Sequence, residues 1–327
     1  MNNKIFVTGG AGYVGSALVP ELLKKGYFVT VLDLMIYGRN VLKKHKNLKI
    51  IRGDIRNIKL IKQIICGHDI VIHLACISND PSFELNPKLG KTINLDAFEP
   101  IVKICKLNNV KRFIYASSSS VYGIKKSKNV HEKMKLKPLT DYSKYKAKCE
   151  KILNKYSSKD FVVTTIRPAT VCGYAKRQRL DVVVNILSNL AYHKREITIF
   201  GGSQLRPNIH IKDMVRVYLI LINAPSNKIN KEIFNVGGKN QTVVSLANDV
   251  KKVMGDDIKL KRIPSNDKRS YHISSSKILN KLGFKTRFTV SDAVKDLKRV
   301  FEKKKLINPI KNINYFNILT MQKIKLK

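Results

Sequence analysis

Tyr142 and Lys146, four positions apart in the run Tyr-Ser-Lys-Tyr-Lys, carry the sharpest chemical signal in this 327-residue chain. On a helix that spacing puts both side chains on one face. A phenol is a poor base at neutral pH because its pKa is about 10. A nearby ammonium stabilises the phenolate and brings that value down. Such a pair can take a proton from a hydroxyl while hydride leaves the same carbon. Upstream, four serines, Ser117 to Ser120, lead into Val121-Tyr122-Gly123. A hydroxyl at the end of a predicted strand can hold the reacting oxygen, while other serines of the run bond the turn's own backbone. Tyr122 and Lys126 repeat the four-residue spacing, but Gly123 follows at once, and we read that pair as a coincidence of a lysine-rich chain.

Hydride chemistry needs an acceptor, and the N-terminal residues offer a place for one. Gly9, Gly12 and Gly15, with Tyr13 and Val14 between them, follow an apolar run and open a predicted helix. Glycine lets the turn adopt positive φ and lets a pyrophosphate approach bare backbone. The helix N-terminus supplies free N–H groups and the positive dipole end. Asp33 closes the second predicted strand, about 20 residues on, where a carboxylate accepts the adenosine ribose hydroxyls. It repels a 2′-phosphate, so NAD is expected over NADP, with Arg39 as a partial offset. Asp54 and Ile55 follow the third strand, where the adenine edge belongs. Leu74 and Ala75 end the fourth, beside the expected pyrophosphate and ribose.

These residues need a scaffold. Apolar runs over 5–8, 28–33, 48–52, 69–75, 112–117 and 162–167 alternate with helical patterns, including 87–107 and 140–156. That alternation predicts an α/β fold, a doubly wound parallel sheet of the Rossmann kind. Residues 1–167 are expected to form the dinucleotide-binding domain, with segments from about 207–240 returning to it. Residues 168–305, with short strands and irregular helices, read as a smaller C-terminal α/β substrate-binding domain. Residues 306–327 read as an appended basic tail, with at most one short helix.

Composition narrows the classes. No apolar stretch is long enough to span a membrane, and no secretory leader is recognised, so no membrane partner and a cytoplasmic location are expected. Five cysteines, without Cys-x-x-Cys spacing, indicate neither a disulfide framework nor a metal site; they read as buried free thiols. The formal charge is +40, but the lysines are spread along the whole chain. A nucleic-acid surface needs basic residues concentrated with aromatic side chains, so nucleic acid is not the expected partner. Dispersed charge still favours capture of an anionic small substrate.

The motifs GGAGYVG, DIRN, HLACIS, SSSSVYG, YSKYK, RPATVCG and RPNIHIKDMV together resemble the extended short-chain dehydrogenase/reductase family, in its nucleotide-sugar epimerase/dehydratase branch, over roughly residues 1–305. The resemblance implies that Tyr142 is the base, Lys146 its lysine, and Ser118 the catalytic hydroxyl, counted back from the tyrosine of VYG. It implies that Asn94 is structural and that Arg206 and Arg269 bind substrate phosphates, joined by Arg177 and Arg179 of AKRQRLD. A forked guanidinium suits a pyrophosphate. It also implies a homodimer through helices near 90–107 and 140–156, with Leu95, Phe98, Val102, Ile152 and Leu153 as candidate contacts.

Dehydratases of the branch resemble one another in a Thr-Asp-Glu at the serine position; the all-serine run here argues against that reaction. The segment PATVCG also lacks the asparagine of many hexose 4-epimerases. The resulting expectation is an NAD-dependent nucleotide-sugar epimerase acting through transient oxidation of a ring hydroxyl, at C4. A nucleotide-sugar 4-dehydrogenase or ketosugar reductase would use the same residues. A non-catalytic nucleic-acid-binding protein is the alternative from another class.

Overall fold

The computed structural model describes residues 3–125, 127, 129–265, 270, 272–324 and 326. Its first half is built from β1 (Lys4–Thr8), β2 (Phe28–Asp33), β3 (Leu48–Arg52), β4 (Ile70–His73), β5 (Arg112–Ala116) and β6 (Val162–Pro168). Then come β7 (Thr170–Cys172), β8 (Glu196–Phe200), β9 (Leu205–His210), β10 (Glu232–Val236), β11 (Asn240–Thr242) and β12 (Lys259–Ile263). One sheet has the order β10-β6-β5-β4-β1-β2-β3, with every pairing parallel. The order reverses between β1 and β4, and ligands of such sheets bind beyond the strand ends at that reversal.

Side-chain alternation explains why both faces are covered. Ile5 and Val7 of β1 join one core with Val29, Val31, Ile70 and Ile72. Phe6, Leu32, Val71 and Phe113 point to the opposite core. The register pairs Phe6 with Val71 and Val7 with Ile72, so like faces like across the strands. Each fully buried Ile or Phe contributes roughly 1.5–3 kcal/mol of hydrophobic stabilisation.

Beyond β6 the chain makes a three-stranded sheet, β11-β9-β7, and a two-stranded one, β12-β8. A third core packs helices Val183–Lys194, Val243–Met254 and Val290–Glu302. β10 joins the large sheet, in the region expected to return to it.

Two elements differ from expectation. The helix read as continuous over 87–107 is Pro87–Lys91, a π-helical turn over Thr92–Asp96, then Phe98–Leu107. The wider turn aims Asn94 at the backbone of Ile77, accepting from its N–H and donating to its carbonyl, both at 2.9 Å. The residues after 305 are no loose appendage. A 3-10 turn, Ile313–Tyr315, and a helix, Asn317–Ile324, fold back with Asn317 and Thr320 buried. The cysteines are free, but Cys66 is exposed, against the expectation of burial.

Candidate active site

Beyond the strand ends lies a cavity of about 380 Å³. The glycine turn forms its floor. Gly9 has φ +74°, and a Cβ there would meet the Ala75 backbone nitrogen at 2.6 Å. A Cβ on Gly15 would strike the Gly10 carbonyl oxygen at 2.5 Å, so this glycine lets the helix start against the turn. Gly12 is different: an added Cβ meets only the Gly9 carbonyl, at 3.2 Å. It lines the cavity with bare backbone. Val14 lines the cavity too. Tyr13 also lines it, but its phenol is spent on an internal tie, donating to the Gly173 carbonyl at 2.6 Å and accepting from Asn185.

Asp33 accepts from the N–H groups of Ala11 (2.9 Å) and Met35 (2.8 Å). Burial pushes its carboxyl up, against the pull of those bonds and of the Arg177 charge. Arg39 is exposed and does not line the cavity. Asp54 lies in the wall with Ile55, ion-paired to Arg56 at 2.7 Å. Partial burial opposes ionisation, but the Arg56 hydrogen bonds prevail and hold Asp54 below the usual carboxylate range. Leu74 and Ala75 line the middle of the cavity. His73, one residue earlier, bonds Thr8 Oγ1 at 2.9 Å, and that oxygen accepts from the Ala75 N–H at 3.4 Å.

Tyr142 and Lys146 reach the same space from another element. The helix Asp141–Tyr156 starts with a capping box: Thr140 accepts from Ser143 N–H, and Ser143 Oγ accepts from Thr140 N–H. Its first turn delivers Tyr142 and its second Lys146, and both line the cavity. Tyr142 is 8% exposed, so its phenol is turned away from bulk water. Lys146 Nζ lies 5.8 Å from the centre of the Tyr142 ring and donates to the Ala116 carbonyl at 2.7 Å. The expected lowering of the phenol by this ammonium is not what the structure gives. Burial pushes Tyr142 up first, then the nearby Cys76 and Asp80; Arg179 and the Asn79 backbone pull it down. The ammonium is spent on a carbonyl and burial dominates, so the ligand-free phenol holds its proton at neutral pH.

Ser118 is half-buried in the cavity wall, with its Oγ 2.8 Å from Ser120 Oγ. No hydrogen bond joins it to Tyr142 among the described residues. Ser117 Oγ is committed elsewhere, donating to Glu150 at 2.5 Å, where Arg167 pairs with the same carboxylate at 2.6 Å. Tyr122 donates to Asn235 and accepts from Arg167, and it does not line the cavity. Lys126 lies outside the described residues.

Of the four arginines expected on substrate phosphates, Arg177 and Arg179 line the cavity. Arg179 is paired with Asp181 at 2.8 Å and donates to Ser78 Oγ. Arg206 does not line it; it sits on β9 and donates to the Leu205 carbonyl at 3.0 Å. Arg269 lies outside the described residues. The sequence reading also missed Tyr37, Ser78, Asp80, Asn317 and Met321, all in the wall. None has a motif spacing: Tyr37 and Ser78 sit in loops after strands, Asp80 opens the short helix Asp80–Glu84, and Asn317 and Met321 lie about 140 positions from Arg177.

A sequence model of the NAD-dependent epimerase/dehydratase family matches residues 5–237. The chain belongs to that family. A UDP-glucose 4-epimerase of Lactobacillus helveticus is 27% identical over 312 residues, 89% of this chain and 94% of that one. The crystal structure of UDP-glucose 4-epimerase from Thermotoga maritima, solved with UDP-glucose, is 26% identical with a TM-score of 0.84, covering 93% of this chain and 100% of that one. UDP-glucuronic acid 4-epimerase from Bacillus cereus, in complex with UDP-glucuronic acid and NAD, is 28% identical with a TM-score of 0.79, covering 91% and 99%. Membership makes the chain an NAD-dependent enzyme. The cavity fits that cofactor, with a bare glycine turn for a pyrophosphate and a carboxylate at the end of β2 for a ribose. No helix among the described residues is long and apolar enough to cross a membrane.

Proposed function

We propose that this family member is a nucleotide-sugar epimerase that inverts C4 of the sugar through transient oxidation of the ring hydroxyl. One observation carries the reading: Ser118, Tyr142 and Lys146 face the same cavity as the glycine turn and Asp33. The relatives named UDP-sugar 4-epimerases supply the substrate class and the carbon. When bound, NAD would supply the hydride acceptor and a positively charged ring.

Tyr142 Oη takes the C4 hydroxyl proton and later returns it. Its raised pKa makes the protonated form the resting one, which suits the return step. Loss of the proton needs added positive charge, which Lys146 supplies by turning off the Ala116 carbonyl. Ser118 Oγ exchanges its Ser120 partner for the reacting oxygen and orients it. Tyr142, packed near Phe83 with ring centres 6.3 Å apart, keeps water from the transferred hydrogen.

Incubation of the NAD-loaded protein with UDP-glucose, UDP-N-acetylglucosamine and UDP-glucuronic acid, without added acceptor, tests the reading. The expected outcome is an equilibrium pair of C4 epimers for at least one substrate, with no net NADH. Recovery of all three unchanged, or NADH formed in step with product, would overturn it.

The proposal includes a homodimer and a cytoplasmic location, the latter supported by five cysteines left free. Phe98, Val102 and Leu153 belong to the core and cannot serve the interface. Leu95 and Ile152 remain half-exposed beside a shallow groove with Asp96, Glu99, Lys103, Lys148 and Lys151. The groove carries both acids and lysines, the complementarity that a self-matching twofold contact needs. Sedimentation of Ile152→Asp as a monomer beside a dimeric parent is the expected result; a monomeric parent contradicts it.

A further inference from the structure

The C-terminal segment crosses from the third core to the cofactor cavity. The Pro309 carbonyl accepts from Asn189 Nδ2 at 3.0 Å, and the Tyr315 carbonyl from the Leu180 N–H at 2.8 Å. Tyr315 and Phe316 pack against the third core. Asn317 then enters the cavity wall, 2% exposed, and three of its groups are engaged. Its N–H donates to Asp181 at 2.8 Å, its Nδ2 to Ser78 Oγ at 3.0 Å, and its Oδ1 accepts from Arg177. One turn later Met321 joins the core that holds Tyr142, Phe83 and Ile77.

Arg177 is the group this latch holds, and it is unusually placed. It is 3% exposed and its guanidinium stacks 3.7 Å from the centre of the Tyr37 ring. Unlike Arg179, it makes no ion pair among the described residues, and its buried Nε has no hydrogen-bond partner. A cation that deep is stable only against an anion. Burial pushes Arg177 down to about 10, the Arg179 charge adds to that push, and the Asp181 carboxylate only partly offsets it. Its location says which anion. The Arg177 N–H donates to Ser16 Oγ at 3.1 Å, on the first turn after the glycines, and its charge acts on Asp33. It therefore lines the same cavity as the glycine turn and the Asp33 carboxyl.

We propose that Arg177 is an anchor for the pyrophosphate of NAD, and that Asn317 of the C-terminal segment is the positioning residue that holds it there. The end of the chain thereby completes the cofactor site. A stacked guanidinium with one Nη tied to Asn317 leaves its other Nη to meet phosphate oxygens from the cavity. The inference rests on NAD as the cofactor and is independent of which sugar is turned over. It moves Arg177 from the substrate phosphates, where its motif placed it, to the cofactor.

Two affinities separate these sites: NADH binding to the NAD-stripped full chain, read by fluorescence, and UDP binding to the NAD-loaded chain, read by calorimetry. Arg177→Met is expected to raise the Kd for NADH on the order of 10- to 100-fold while the Kd for UDP stays within about 2-fold. Arg177→Lys, which keeps the charge and loses the fork, carries the test if the methionine variant loses its folded circular-dichroism signal; roughly 10-fold is expected. Asn317→Ala, and separately a chain ending at Phe316, should each weaken NADH roughly 10-fold, and the alanine effect should vanish in the Arg177→Lys background. That loss of additivity is a readout that a merely structural role does not produce. Weakened UDP with unchanged NADH would return Arg177 to the substrate. Parent-like NADH binding in the Arg177 variants, or additive effects of the two positions, would overturn the proposal.

Discussion

Tyr142 sits where burial makes ionisation costly, and that cost is measurable. Tyr142→Phe removes the proton acceptor and keeps the ring. Its kcat is expected to fall about 10²- to 10⁴-fold, with NADH affinity nearly unchanged. Because the phenol is pushed up, the reactive form grows with pH, so log kcat/KM should rise through neutrality. Lys146→Met takes away a cation and should move that rise to higher pH; a profile that stays in place would remove Lys146 from the chemistry. The glycines separate folding from binding in the same way. Gly12→Ala adds a methyl into tolerable space, 3.2 Å from the Gly9 carbonyl, and should weaken NADH more than it lowers Tm. Gly15→Ala, with a 2.5 Å clash on backbone, should lower Tm first. Tyr142, Lys146, Ser118 and Asp33 could be singled out in the sequence because each sits at a fixed offset from a strand end or a helix start, and all four line one cavity. Asn317 was not legible, since its role exists only where distant segments meet.

At the scale of elements, β4 carries the clearest pH liability. Burial, with the nearby Lys146 charge, pushes His73 down to about 3 from its ordinary value of 6.5. The unfolded chain therefore binds a proton here that the folded chain refuses. Stability attributable to His73 is complete above about pH 6.5 and declines as pH falls from there toward 3. Between pH 7 and 5 the loss is roughly 2 kcal/mol, and urea unfolding of His73→Asn should show a correspondingly shallower pH dependence. Equal slopes in parent and variant would contradict it. Strand positions were legible almost to the residue, because runs such as Phe28–Asp33 are buried on both faces and bounded by turn residues. The π turn at Thr92–Asp96 was not, because it answers to the two bonds between Asn94 and Ile77 rather than to a local pattern.

Over the whole molecule, the +40 formal charge and the C-terminal strap are the features that composition hid or misdirected. A chain so basic draws in anionic substrates from a distance, and salt screens that attraction within a Debye length of about 8 Å at physiological ionic strength. KM for a UDP-sugar should therefore rise with added salt while kcat holds; a falling kcat at constant KM would point to structural damage instead. The strap was unreadable because Ile313–Ile324 mixes apolar residues with Asn, Thr and Lys, and its apolar side chains find partners only in other parts of the fold.

The most direct measurement follows deuterium placed on C4 of UDP-glucose, UDP-N-acetylglucosamine and UDP-glucuronic acid, with the protein loaded with NAD in ordinary water. For the sugar that is turned over, the epimer should keep its deuterium at C4, with no NADH accumulating. Solvent hydrogen at C4 of the epimer, or label passing into released NADH, would contradict a hydride that leaves and returns within one closed site.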